Sequence, residues 1–365
     1  MVARNAAASA SAPIRDRAAV AALKARFIRQ DVILVVLLFV ALAVWPMFPS
    51  VKGWMAQQAA LVLIYIMAAQ GVSILTGYTG LVTVGHGGFL AIGAYTAALL
   101  LKHYNVDIIV AVIAGGAVSS FVGVLLGLIF LRLGGPFMAI GTLGFAFFVG
   151  TMVNNLEIFE GRTGISLPPN HILGFELDDK GFYWVTVGFL ALVTLFIWSL
   201  VRSGVGRAFK ALRDSEKAAE SSGVSRWFYR TLAFSISSCI TGMAGALNGL
   251  ITHYVSSEVY ADVWYSVDIL VAAVVGGSAT LLGPFLGGAF VALLPFFLEE
   301  LADFAFILKG VVLILVLMFA PAGIVALLAR PFQAWRARRL ADAASGGGRG
   351  GEGEPLGNVR PAGRT

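Results

Sequence analysis

Among the side chains able to do chemistry, His86 stands apart because it lies within a long apolar stretch. Thr83 precedes it by about one helical turn, and Gly85 and Gly87 flank it. An ionisable group at membrane depth marks a functional position by default, on a solute or proton path. The structural alternative is a histidine near the membrane face, or one bonded to a backbone carbonyl of its own Gly-rich turn. For direct contact with a solute, that alternative is preferred.

A second concentration of reactive types lies in segment 202–230, with Arg202, Arg207, Lys210, Arg213, Lys217, Arg226 and Arg230 among Asp214, Glu216 and Glu220. Asp214 can cap a helix starting at Ser215, and Gly223 suits the position just past its end. Glu216 and Glu220 fall one turn apart, and Ala218 and Ala219 leave a low surface between charged neighbours. Such a helix suits docking into a groove on another protein. Spacing alone fits a solvated linker equally well.

Other chemistries are excluded by what is missing. No Gly-Lys pair occurs, so there is no phosphate-binding G-x-x-x-x-G-K-[ST] loop. There is no H-E-x-x-H and no G-x-S-x-G elbow, and the four histidines are scattered. Cys239 is the single cysteine, which leaves no internal disulfide and reads as a small packed residue. The chain is therefore expected not to be an enzyme, to bind no metal, and to need no cofactor of its own. The apolar segments also lack the buried Asp, Glu and His series of a proton-coupled carrier. Energy then comes from the solute gradient or from a partner.

The elements that must position these residues are membrane helices. Hydrophobic residues make up 58% of the 365 and charged residues only 13%, with mean hydropathy +0.86. Soluble domains carry about 25% charge, so this chain could not cover its surface in water. A helix crossing lipid needs roughly 20 apolar residues. That rule predicts an all-α polytopic membrane protein with about ten spans. They fall near 32–48, 55–75, 83–101, 107–131, 135–155, 183–201, 229–254, 266–281, 284–298 and 305–328. The eighth and ninth are short and could form one broken element or a re-entrant pair about Gly283-Pro284.

Net charge is +6, but the basic residues cluster in the two tails and in loop 202–230, which argues against nucleic acid and for a membrane surface. An even number of spans puts all three basic regions, and both termini, on the cytoplasmic side. The opposite loops, 156–182, 255–265 and 299–304, are acidic overall. Ala41-Leu42-Ala43 resembles a signal-peptidase site, yet the apolar run continues past it, and removing this span would break the parity. Val20, Leu23 and Phe27 mark a basic amphipathic helix lying on the inner surface within a tail 1–31. The permease portion then covers 32–330, with loop 202–230 inside it. The Gly-rich tail 331–365 has nothing to bury and is expected to be disordered.

Glycine, 43 residues in all, serves two purposes. Gly115, Gly116, Gly123 and Gly127, with Gly242, Gly245 and Gly249, suit close helix packing in lipid. Two stretches, 75–89 and 275–288, are too Gly-dense for an unbroken helix. Non-helical backbone at membrane depth is tolerated only where protein buries it or water reaches it. Paired breaks point to a transporter's central pathway, and spans 2–5 and 7–10 have the opposite senses that an inverted repeat requires. Thr83, Gly85, His86, Gly276, Gly277 and Gly283 are the candidate pathway residues.

Three blocks carry a family resemblance. The first is Leu75-Thr76-Gly77-Tyr78-Thr79-Gly80-Leu81, running on to Gly85-His86-Gly87-Gly88-Phe89. The second is Gly206-Arg207-Ala208-Phe209-Lys210-Ala211-Leu212-Arg213-Asp214, through Ala218-Ala219 to Gly223. The third is Val274-Val275-Gly276-Gly277 with Leu282-Gly283-Pro284-Phe285-Leu286-Gly287. Over roughly 32–330 the chain resembles permeases of the branched-chain amino-acid ABC import family, on the side of the LivM-type subunit (length as expected for about ten spans). The resemblance implies a bacterial inner-membrane subunit that pairs with a second, LivH-type permease. It implies two ABC ATPases that bind the ATP, an extracytoplasmic solute-binding protein, and an amino-acid solute. It also implies that the second block is the ATPase-coupling segment, with Gly206, Arg207, Asp214, Glu216, Ala218, Ala219 and Gly223. The acidic loops become candidate docking surfaces for the binding protein. Departures at Leu133-Gly134-Gly135-Pro136 and Gly161-Arg162-Thr163-Gly164-Ile165 leave the solute open. Urea or amides, and a passive solute channel, are the alternatives.

Overall fold

The computed structural model describes residues 35–48, 51–130, 136–172, 174–260 and 263–297, together with Gly310 and Gly323. The chain divides into two units, 1–38 with 328–365 and 39–327, and nearly all of the described residues belong to the second. The basic helix expected within 1–31, the loop at 299–304, the tenth span, the tail 331–365 and the Leu133–Gly135 departure lie outside the described residues.

Each expected span from the first to the ninth coincides with a helix. They are α1 (Val35–Met47), α2 (Gly53–Ser73), α3 (His86–Tyr104), α4 (Ile108–Phe130), α5 (Pro136–Asn155) and α6 (Asp179–Arg202), then α9 (Arg226–Thr252), α11 (Val263–Gly276) and α12 (Gly283–Phe297). Between α6 and α9 come two short helices, α7 (Gly204–Asp214) and α8 (Glu216–Ser221), and α10 (Ser257–Tyr260) follows α9. Among the described residues, five helical segments are long and apolar enough to cross a membrane, and α1, α11 and α12 are shorter apolar helices.

Helix α9 is the hub, packed against α4, α3 and α2. Glycine makes this possible. A methyl group added at Gly93 would lie 1.9 Å from the Gly242 carbonyl oxygen, and one at Gly245 would lie 2.0 Å from that of Leu90. Backbones this close gain dispersion contacts that bulky side chains would prevent. Short polar bonds add to the packing: Ser119 Oγ donates to Phe89 O at 3.1 Å, and Gln70 Nε2 donates to Thr194 Oγ1 at 2.9 Å, joining α2 to α6. The outer faces of α4, α5 and α6 present Phe121, Phe137, Ile140, Phe148, Leu192 and Leu195. Apolar exposure of this kind needs lipid or a protein neighbour to cover it.

Among the described residues, the loop between α5 and α6 holds three short strands, and a fourth follows α9; the sequence did not indicate them. β1 (Ile165–Ser166) pairs antiparallel with β4 (Tyr254–Val255), Ile165 opposite Val255. β2 (His171–Ile172) pairs with β3 (Phe175–Glu176). The loop is thus anchored to the end of α9. Lys102 at the end of α3 forms an ion pair with Glu160 in the same loop.

Candidate functional site

Both Gly-rich stretches are breaks, and the fold brings them together. After Ser73, helix α2 widens into a π-turn over Ile74–Thr79, and it ends at Gly80 with φ +73°, a conformation that favours glycine. Residues 81–85 are non-helical, and α3 starts at His86 rather than near 83. The second break follows α11. Gly277 has φ +105°, residues 277–282 turn, and Gly283-Pro284 open α12, where proline's missing N–H costs nothing. A methyl group on Gly77 would sit 1.8 Å from the Ser278 carbonyl oxygen, so the two breaks meet backbone to backbone.

The first break is braced by side chains. His86 is 1% exposed. Its Nε2 lies 2.8 Å from Ser237 Oγ, and its Nδ1 lies 2.9 Å from Thr83 Oγ1. Ser237 has one hydroxyl hydrogen and donates it to Gly71 O at 2.7 Å. It must therefore accept from Nε2–H. In a neutral ring Nδ1 then accepts from Thr83, so the network selects the Nε2–H tautomer of the neutral imidazole. Two further side chains serve the backbone nearby: Val84 N donates to Thr142 Oγ1 at 3.1 Å, and Gly87 N donates to Ser266 Oγ at 2.9 Å. Gly85 packs directly on Thr142, where a methyl group would lie 2.0 Å from the carbonyl oxygen. Thr83, Gly85 and His86 thus sit together, enclosed, and shape the turn. The partners of His86 are side chains of α9 and of its own turn, not a backbone carbonyl.

The second break relies on backbone packing. Gly276 rests on Gly283, and Gly287 rests on Ala272, with added methyl groups 1.9 Å and 1.8 Å from the respective carbonyl oxygens. Thr280 supplies the side-chain ties: Oγ1 donates to Gly277 O at 2.9 Å and accepts from Gly283 N at 3.0 Å.

The basic loop is two helices. Ser203 caps α7, accepting from Val205 N at 3.2 Å. Ser215, not Asp214, caps α8, accepting from Ala218 N at 3.4 Å, because Asp214 still closes α7 while Ser215 turns extended at φ −163°. Gly223, at φ +83°, follows the end of α8 as expected. Glu216 pairs with Arg230 and, at 3.4 Å, with Arg226, and Glu220 pairs with Arg226 at 3.2 Å. These carboxylates therefore hold α8 against the start of α9. Ala219 turns inward, 4% exposed, whereas Ala218, Arg207, Asp214 and Lys217 face outward. The low surface expected from two alanines thus reduces to Ala218. Gly206 is buried against the end of α6, where a methyl group would lie 2.5 Å from Leu200 O.

One contact was missed from sequence. Arg213 Nη1 donates to Gly77 O at 2.8 Å, across 136 positions. Nothing local marks this arginine among its basic neighbours. Among the described residues no group of His, Cys, Asp and Glu could hold a metal ion.

A family model described as branched-chain amino acid transport system / permease component matches residues 54–321. The chain is 31% identical over 323 residues to the high-affinity branched-chain amino acid transport system permease protein LivM of Salmonella typhimurium, covering 81% of this chain and 75% of that protein. LivM of Escherichia coli K12 gives the same identity and coverage. LivH of Escherichia coli K12, another permease protein of that system, is 25% identical over 297 residues, covering 73% of this chain and 92% of its own. No solved structure matches.

Proposed function

We infer the role of this chain from one premise: it belongs to the branched-chain amino acid transport permease family, whose model covers residues 54–321. It is a multi-pass membrane permease component of an ABC transport system, not an enzyme, and ATP is bound by partner ATPases. The finer reading is ours. The chain forms a solute pathway together with a second, LivH-type permease in a bacterial inner membrane. Branched-chain or related hydrophobic amino acids arrive from an extracytoplasmic binding protein, and two ATPases drive their passage. Both termini and loop 202–230 are cytoplasmic, and the loop anchored by β1 and β4 faces the binding protein.

One observation favours this over a passive channel. The segment Gly204–Ser221 is built to present a face: capped at Ser203 and Ser215, and held inward through Glu216 and Ala219. Its outward residues Arg207, Asp214, Lys217 and Ala218 form the surface offered to an ATPase. A channel needing no partner has no use for such a platform.

The test is uptake of labelled leucine into liposomes holding the chain with its second permease and ATPases, with binding protein supplied. Uptake that requires both ATP and the binding protein is the expected result. Equal uptake by the purified chain alone, without ATP, would establish the passive channel instead. If urea or an amide binds the binding protein and leucine does not, the cargo changes while the transport role stands.

A further inference from the structure

The two regions singled out in the sequence, the helix break and the cytoplasmic segment, are joined by a direct hydrogen bond from the Arg213 guanidinium to Gly77 O. We propose that Arg213 is a positioning residue for transport. It fastens the cytoplasmic segment to the break in α2, so that an ATPase moving the segment moves Gly77 and, through it, the second break at Ser278. This role rests on the ATP-driven reading of the chain.

Four observations support a rigid link. The Arg213 Nη1 bond to Gly77 O is 2.8 Å, while its other contacts, to Asp214 Oδ1, are long at 3.4 Å. The stem of Arg213 packs on Gly80, where a methyl group would lie 2.9 Å from its Cγ. Beside it, Lys210 Nζ stands 6.0 Å from the centre of the Tyr78 ring, a second cationic tie onto the same π-turn. Phe209 and Leu212 are buried on the inner face of α7, so the helix bearing Arg213 is itself fixed.

Beyond Gly77 there is no slack. An added methyl group there would meet the Ser278 carbonyl oxygen at 1.8 Å, so a displaced Gly77 must push on the second break. Backbone joints lie on either side of α8, at extended Ser215 (φ −163°) and at left-handed Gly223 (φ +83°). An ATPase pulling α8 thus acts on α9 through the Glu216 and Glu220 ion pairs and on the first break through α7 and Arg213. The end of the π-turn contributes as well, since Gly77 lies in its last turn before Gly80, where carbonyls have no partner within the helix and are open to an outside donor.

The experiment uses the complete complex in liposomes: the chain, second permease, ATPases and binding protein. ATP-driven uptake by the parent complex tests the transport reading itself, and the variants test Arg213. With Arg213→Ala, the ATPases should remain bound while solute taken up per ATP hydrolysed falls at least about tenfold, as loss of a charge-assisted bond predicts. Arg213→Lys, which keeps a cationic donor, should recover part of that ratio.

Loss of fold is separated from loss of linkage by a reversible pair. The Cβ positions of Gly80 and Arg213 are 3.7 Å apart, within the range of a disulfide. Residue 80 has φ +73°, so Gly80→Cys alone, in a Cys239→Ser background, is the reference that carries the strain of a side chain there. With Arg213→Cys added, solute taken up per ATP should fall about as far below that reference as Arg213→Ala falls below the parent when reduced, return to it on oxidation, and fall again with reductant. The proposal is overturned if Arg213→Ala matches the parent ratio, if the oxidised pair stays below the Gly80→Cys reference, or if Arg213→Ala sheds the ATPases.

Discussion

The two breaks have the same glycine-rich look but are held by different means. In the first, side chains from four other helices converge: Ser237 of α9 on His86, Thr142 of α5 on Val84, Ser266 of α11 on Gly87, and Arg213 of α7 on Gly77. In the second, glycine backbones pack closely and, among the described residues, only the Thr280 side chain ties the turn. A directional bond specifies position and can be pulled. A glycine contact resists compression but cannot pull. The first break is therefore the one equipped to receive motion, and the second is the one that motion presses on.

The largest expected effect removes the meeting point. Gly77→Val places a branched side chain where even one methyl group would lie 1.8 Å from backbone. It should cost at least about 3 kcal/mol, the upper part of the overpacking range. Thermal unfolding in detergent, followed by size-exclusion chromatography, would show it. A folded variant with parent stability would mean that the breaks do not press together.

A pair of milder variants separates the braced break from the packed one. His86→Ala strands Thr83 and Ser237 in a buried site and should cost about 2 to 3 kcal/mol, whereas Thr280→Ala should cost about 1 kcal/mol. Surviving His86→Ala protein should keep the parent's KM for solute, because His86 braces the turn. A large KM change with unchanged melting would instead place His86 on the solute's path. Equal losses for the two variants would erase the distinction between the breaks.

The smallest effect concerns the platform. Glu220 and Arg226 have side chains 47% and 33% exposed, so water screens their pair. Glu220→Gln should change stability by no more than about 0.5 kcal/mol. Glu216→Gln should matter more, because its partner Arg230 is only 8% exposed. A melting series at low and high salt distinguishes them: the Glu220 effect should vanish at high salt and the Glu216 effect should persist.

Much of the fold was legible because lipid sets strict rules. Apolar length located the helices to within a few residues, and glycine density located both breaks. Glycine at 223 marked the end of α8 by local chemistry, but one helix capped by Asp214 was expected there; α7 and the caps at Ser203 and Ser215 came from the structure, because choosing Ser215 over Asp214 requires knowing where α7 stops. The candidate site was less legible. His86 stood out, but Ser237, which fixes its tautomer, lies 151 positions away. Ala218 and Ala219 look alike in sequence, and only packing turns one inward. Arg213 carries no mark among seven basic residues of its loop.

Sequence alone determined that this chain lives in a membrane, where its helices run and break, and that it cannot supply its own energy. Those properties follow from composition, from run length and from missing motifs, each a local quantity. Tertiary structure decided that the two breaks touch, that His86 braces and is enclosed, and that Arg213 joins the basic segment to Gly77. The reason is physical. Membrane helices are apolar nearly all round, so their sequences say little about which face turns inward, and that rotation decides which distant residues meet.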